Sequence, residues 1–344
     1  MSEGFGGAPR VLFIRFGSIG NAVAAIPAVR AVRRAWPQAY LAILADPLTA
    51  ELWQGCPYLS DLIVYDQKAS HRPGPGYLRL IQSLRRRRFT HSIHLRRFIR
   101  SELIGFLAGA SERIGFESEA RIQLLTRKVP YREGVSVIEL GLRLIRELGI
   151  SADDSSLEYW PGQGYPRVQQ LYESLAGDGP VVVIHPGGAT QRDRLWPYYG
   201  ELGAALQEKY HSRIILLATP EEKGVLQRTE DKMSTPVGKA VGFSLSEVAE
   251  VLRRAQVFVG TDSGPCHLAA MVGTPGSILY APHQSLSDHL KKWKPAGDKY
   301  LAFTPGKDCA DCAEHPCSTA RQRECAASIP LAAVQEGLEK LLAR

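Results

Sequence analysis

The sequence predicts an α/β protein built from two parallel-sheet domains. Short apolar runs alternate with helix-length amphipathic stretches along both halves of the chain, and a stretch rich in Asp, Ser, Gly and Pro at 151–167 separates the halves. Parallel strands must be joined by crossovers of about helix length, so this alternation reads as βαβ units rather than hairpins. Length agrees, since 344 residues exceed one ordinary core and suit two.

The elements follow in order. Residues 10–15 form an apolar strand that runs into the Gly-rich turn Arg15-Phe-Gly-Ser-Ile-Gly-Asn21. Residues 21–36 carry apolar side chains at helical spacing and stop at Pro37. Strands at 40–45 and 61–65 end at Asp46-Pro47 and Asp66; a helix at 77–87 and a strand at 91–95 follow. The amphipathic stretch 133–148 is a helix with Gly149 as its stop. Beyond the linker, strands are expected at 181–185, 213–218, 239–242, 257–260 and 276–280. Helices fill the gaps at 198–211, 221–233, 244–255 and 265–272, and 330–344 is a final helix after a cysteine-rich loop at 305–326. The expected domains are 1–160 and 161–329, with 330–344 packing back toward the first. No sequence repeat relates the two halves.

Composition narrows the class. Hydrophobic residues make up 44% and charged residues 22%, a globular balance. No apolar run approaches the roughly 18–20 residues that span a bilayer, and residues 1–10 lack the apolar centre of a signal peptide. The expectation is a cytoplasmic protein, peripheral at the inner membrane at most. The net charge of +7 favours an anionic ligand or surface. Seven of the sixteen residues in 85–100 are Arg, which reads either as a solvated helix end or as a docking face for a phosphorylated acceptor or an anionic membrane. No helix-turn-helix, aromatic RNA-binding strand or finger spacing accompanies the charge, which argues against nucleic acid.

In open parallel sheets ligands sit at the carboxyl ends of strands. After the first strand, Gly17 and Gly20 allow close backbone approach, but the spacing is not that of a dinucleotide fingerprint. After 181–185 comes Pro-Gly-Gly-Ala-Thr190, with Arg192, Arg194 and Trp196-Pro197 beyond. Glycine amides plus fixed cations are what a diphosphate requires. After 257–260 comes Thr261-Asp-Ser-Gly-Pro-Cys-His267. There Asp262 can accept from sugar hydroxyls, Ser263 and the amides near Gly264 can face phosphate oxygens, and His267 can donate to one. Taken singly, Asp262 reads as a helix N-cap and His267 as a packed helix residue. Two phosphate-suited loops in one half point to a nucleotide site.

Together these residues closely resemble glycosyltransferase family 9, the lipopolysaccharide heptosyltransferases. The family's R-x-x-S-x-G-D-x-x-x-x-x-P-A pattern is met by Arg15, Ser18, Gly20, Pro27 and Ala28, with Asn21 in place of the aspartate. Its Gly/Thr loop followed by a basic residue ahead of Trp-Pro is met by Gly187, Gly188, Thr190, Arg194, Trp196 and Pro197. Its D-S-G-x-x-H-L-A pattern is met by Asp262, Ser263, Gly264, His267, Leu268 and Ala269. The resemblance implies a GT-B architecture, two Rossmann-like domains facing a cleft with the last helix crossing back. It also implies an inverting, metal-independent transfer from an ADP-sugar, normally ADP-heptose. By motif position Thr190 and Arg194 would hold the diphosphate, Glu222 would lie near the ribose, Asp262 would bind the sugar, and Gly264 and His267 would contact phosphate. The first domain would bind the acceptor, at Ser18, Gly20 and the arginines Arg96, Arg97 and Arg100.

The departure at Asn21 concerns the general base, because an amide cannot take a proton from an attacking hydroxyl. Asp46 or Asp66, each at a strand end, would serve in its stead. Alternatively the acceptor is already anionic or attacks through nitrogen, or the protein binds donor without turning it over. The last case gives the competing function, a non-catalytic nucleotide-sugar-binding protein; a nucleotide-sugar isomerase on the same plan is another. Four cysteines, Cys309, Cys312, Cys317 and Cys325, have the spacing C-x₂-C-x₄-C-x₇-C, which suits a structural zinc or iron.

Overall fold

The computed structural model describes residues 7–117, 124–162, 164–188, 195–280, 286–295, 297–305 and 319–343. The chain divides into two compact units, Met1–Trp160 and Pro161–Arg344.

The first unit contains β1 (Arg10–Ile14), α1 (Ile19–Val23), α2 (Ile26–Ala35), β2 (Tyr40–Ala45), α3 (Pro47–Ala50), β3 (Asp61–Val64), α4 (Pro75–Arg86), β4 (His91–His94), α5 (Ile99–Leu107), β5 (Glu112–Phe116), β6 (Arg127–Val129) and α6 (Val137–Arg146). Its strands form one parallel sheet in the order β3-β2-β1-β4-β5-β6. Central strands covered on both faces must be apolar throughout, and Val11, Leu12 and Phe13 are fully buried. The single helix expected over 21–36 is two. Pro27 has no N–H to give and its ring crowds the preceding turn, so the chain ends α1 and restarts with Pro27 in the first turn of α2.

The second unit contains α7 (Pro166–Glu173), β7 (Val181–His185), α8 (Tyr199–Tyr210), β8 (Arg213–Ala218), α9 (Lys223–Glu230), β9 (Gly238–Val241), α10 (Leu245–Arg254), β10 (Val257–Thr261), α11 (Gly264–Val272), β11 (Gly276–Leu279), α12 (Leu286–Trp293), β12 (Tyr300–Phe303), α13 (Thr319–Ala327) and α14 (Leu331–Leu342). Its sheet is parallel, ordered β12-β11-β10-β7-β8-β9. Both sheets therefore reverse direction beside their first strand, between β1 and β4 and between β7 and β10. In such sheets that switch point opens the crevice where ligands bind.

The last helix, expected at 330–344, spans Leu331–Leu342 and packs on the second unit's sheet. Val334, Leu338 and Leu341 of α14 are buried in the core of the second sheet, so its apolar face is already used there. Gly337 lets α14 lie close, since a Cβ would come 2.7 Å from the Phe303 ring. Among the described residues no helix is long and apolar enough to cross a membrane.

Candidate functional site

The second unit's switch point joins the two loops that the sequence singled out. The Thr261 hydroxyl, at the end of β10, donates to the Gly187 carbonyl after β7 at 2.5 Å. The Ser263 hydroxyl lies 3.2 Å from His185 Nδ1. Glycine suits position 187, because a Cβ there would sit 2.3 Å from Glu222 Oε1 and the carboxylate would have to shift. Gly264 opens α11, and His267 lies one turn in. Thr190 and Arg194 fall outside the described residues.

Glu222, expected beside the ribose, is held by backbone amides. It is 8% exposed, and its carboxylate accepts from Gly188 N–H at 2.7 Å and from Thr219 N–H at 2.8 Å. His185 Nε2 stands 3.6 Å away. Burial alone would raise the Glu222 pKa, but the hydrogen bonds from His185, Thr219 and Gly188 bring it down to about 2. Its charge pins the glycine loop, and a ribose would have to compete with these amides.

Asp262 sits among hydrogen-bonding neighbours. His289 Nε2 lies 2.5 Å from its Oδ2, His267 Nε2 3.8 Å from Oδ1, and the Cys266 thiol donates to Oδ1 at 3.7 Å. Burial lowers the His267 pKa, the Asp262 charge offsets this in part, and a ring N–H of His267 can donate. Asp262, Cys266 and His267 are close enough to share a metal ion. Sequence reading missed His289: it lies on α12 outside every motif, and only the fold carries it to Asp262. Trp196, of the Trp-Pro pair, is a buried anchor whose indole N–H donates to the Ile329 carbonyl at 2.9 Å.

The first unit's switch point centres on Arg15. This guanidinium is 3% exposed. It donates to Asn21 O at 2.8 Å, to Leu95 O at 2.7 Å and to Asn21 Oδ1. That fixes the amide's orientation, and Asn21 Nδ2 donates to the Ser18 hydroxyl at 2.8 Å. Burial and the charge of Arg96 together lower the Arg15 pKa to about 9. Gly17 (φ +127°) takes a left-handed conformation, and a Cβ there would meet Arg96 Nη1 at 2.8 Å and Asn21 Nδ2 at 3.6 Å. Gly20, within α1, is buried. Arg96, Arg97 and Arg100 are exposed; Arg97 lies over the Tyr131 ring at 4.7 Å and Arg96 over Phe98 at 5.4 Å.

The two substitute carboxylates differ. Asp46 is brought to this loop, accepting from Gly17 N–H at 2.9 Å while capping α3 through Thr49 N–H at 3.1 Å and the Thr49 hydroxyl at 2.9 Å. Asp66 instead caps its own turn, accepting from Lys68 N–H at 3.1 Å and Ala69 N–H at 3.0 Å. These amides, Ala69 first, hold its pKa below the usual range, the wrong direction for a base. Of the four clustered cysteines, Cys325 is a half-buried free thiol on α13; Cys309, Cys312 and Cys317 lie outside the described residues.

Comparison with known proteins gives one consistent answer. Residues 77–322 match glycosyltransferase family 9 (heptosyltransferase). The chain is 24% identical to lipopolysaccharide heptosyltransferase 3 of Escherichia coli, over 94% of this chain and 96% of that protein. Among solved structures, a family 9 glycosyl transferase from Veillonella parvula superposes with a TM-score of 0.84 at 17% identity, covering 98% of each chain. The E. coli ADP-heptose lipopolysaccharide heptosyltransferase II gives 0.75 at 19% identity, covering 97% of this chain and 98% of that one. The shared architecture is that of these GT-B enzymes.

Proposed function

The chain belongs to glycosyltransferase family 9 and is a glycosyltransferase; from that premise we propose that it moves a heptose from ADP-heptose to an acceptor with inversion at the anomeric carbon. The observation that carries the donor half is the bond from Thr261 to Gly187, which joins two phosphate-suited loops at one switch point. Around it stand Asp262 for sugar hydroxyls, the Gly264 amide for phosphate, and a ring N–H of His267. ADP-heptose appears in the name of the E. coli relative with the same fold. As the diphosphate departs it gains charge, and a cation already in place at Arg194 would lower that barrier.

The first unit holds the acceptor in this reading, through Ser18 and the arginines 96, 97 and 100. Lipopolysaccharide is what the E. coli relative's name gives, and its core is the acceptor class proposed; a small molecule or protein side chain would use the same residues. A cytoplasmic enzyme working against an anionic membrane fits α5, where Ile99, Leu103 and Phe106 recur on one face at 42%, 39% and 48% exposure beside those arginines. A structural zinc or iron on the four cysteines belongs to the same proposal, supported by their spacing. Metal analysis of protein purified without chelator tests it, and less than about 0.2 equivalents overturns it.

The test of the donor is a thermal-shift comparison of ADP-, UDP- and GDP-sugars. ADP-heptose at 100 times its Kd should stabilise the fold by about 2.7 kcal/mol, and Asp262→Ala should remove most of that shift. A larger response to a UDP- or GDP-sugar would overturn the donor assignment. NMR of the product's anomeric configuration tests inversion. The alternative of a binder without turnover is favoured by one observation: Asn21 fills the position of the family's base, with its amide engaged by Arg15 and Ser18. Donor binding without donor consumption under any acceptor would establish it.

A further inference from the structure

The first unit holds two buried arginines that are compensated differently. Arg30, 1% exposed, pairs with Asp154 at 2.9 Å and with Glu158. Arg15 has only neutral acceptors, two carbonyls and the Asn21 amide, and among the described residues it makes no ion pair. A buried cation without a counterion is costly, and in water it would recruit an anion. Its charged neighbour is Arg96, a second cation, which makes no ion pair among the described residues either.

Donors converge on this spot. Arg96 Nη1 and Asn21 Nδ2 both come close to the Gly17 backbone, 2.8 Å and 3.6 Å from where its Cβ would stand. The Ser18 hydroxyl is exposed beside it. Among the described residues, the carboxylate that reaches the loop is Asp46, which already accepts from Gly17 and twice from Thr49. So, among the described residues, the loop at the first sheet's switch point gathers N–H groups and positive charge around a carboxylate that is already engaged.

We propose that this loop seats an oxyanion of the acceptor, an ionised phosphate or carboxylate, and that this oxyanion is the nucleophile. The seat stands on the geometry above; its role as nucleophile rests on the transferase reading. An acceptor oxygen forms its bond to the anomeric carbon as the bond from that carbon to the donor's diphosphate breaks. The electron pair leaves on ADP. No proton is transferred, so an asparagine at position 21 suffices, and its neutrality keeps the seat positive. Arg15 supplies charge from beneath, while Arg96, Asn21 Nδ2 and Ser18 make the contacts.

The experiment uses the full chain at constant ionic strength, saturated with ADP so that the donor loops are occupied. Inorganic phosphate and sodium acetate are titrated against melting temperature in the wild type, Asn21→Asp and Arg96→Gln. The wild type should show a saturable rise with one of the two anions, which identifies the class. Both variants should bind that anion at least about tenfold more weakly, because Asn21→Asp adds a competing charge and Arg96→Gln removes a cation. Arg96 is exposed, so its variant keeps the test open if Asn21→Asp does not fold. An equal response in all three proteins, or none to either anion, overturns the seat. For the second half, ADP-heptose is mixed with inorganic phosphate and followed by phosphorus NMR, or with acetate and followed by proton NMR. A glycosyl phosphate or glycosyl ester plus ADP is expected from the wild type alone. Anion binding without that product overturns the nucleophile. Failure of ADP and ADP-heptose to bind would instead remove the ADP-heptose donor reading and leave the seat standing.

Discussion

The loops after β1 and β7 are built alike and charged differently. In each unit a carboxylate from the loop after the next strand reaches across and accepts a glycine amide. Asp46 takes Gly17 N–H in the first unit, and Glu222 takes Gly188 N–H in the second. Each carboxylate also caps a short helical turn, Asp46 through Thr49 and Glu222 in a capping box with Thr219. The difference lies in what is buried beside it. The second loop has His185, which interacts with Glu222, whereas the first has Arg15 against a neutral amide. Among the described residues, one switch point is thus satisfied from within its own unit, and the other holds positive charge without an ion pair.

Three substitutions sharpen or break this contrast. Gly187→Ala should do most, since its Cβ would lie 2.3 Å from Glu222 Oε1 and the contact is with a buried group that is itself held. We expect about 1–3 kcal/mol lost in urea unfolding and loss of ADP binding. Wild-type stability together with normal ADP affinity would show that the two loops are not braced as described.

Glu222→Gln should cost on the order of 2 kcal/mol at pH 7 by removing charged acceptors from two amides. Its pH dependence has a fixed sign. The folded carboxyl titrates near 2 against an ordinary 4.5, so its stabilisation is present above 4.5 and fades as pH falls toward 2. Wild type and variant should therefore converge in stability on acidification, by circular dichroism melts at stepped pH. A gap that is constant down to pH 2 would deny the carboxylate its role.

Asp46→Asn is expected to be the mildest, about 1 kcal/mol, because an asparagine can still cap α3. Melting temperature measures this directly. If the acceptor is already an anion, transfer should persist in this variant; its loss with folding and ADP binding intact would return the base to Asp46.

Strands rich in Val, Ile and Leu, such as 181–185 and 213–218, were legible in the sequence because both faces of a parallel sheet are covered. The misses have equally physical causes. Residues 99–107 form α5, but Ile99, Leu103 and Phe106 point outward, so their spacing does not trace a core face. Strand β6 is an edge with Arg127 and Lys128 exposed, and its charge hides it. In the sites, the glycine and Asp-Ser-Gly motifs stood out through local spacing, whereas pairings made by the fold did not. Asp46 to Gly17 and His289 to Asp262 join residues 29 and 27 positions apart. Arg15 was visible as a residue but not as a buried one, since a charge at a strand end is ordinarily read as solvated.

The indole of Trp196 ties the last helices to the loop after β7. Its N–H rests on the carbonyl of Ile329, and Ile329 packs in the same core as Val334 and Leu338. A truncation ahead of Ile329 would remove the floor under Trp196-Pro197 as well as the cover of the sheet. Nucleotide affinity should then respond to chain length some 130 residues downstream of the loop it measures.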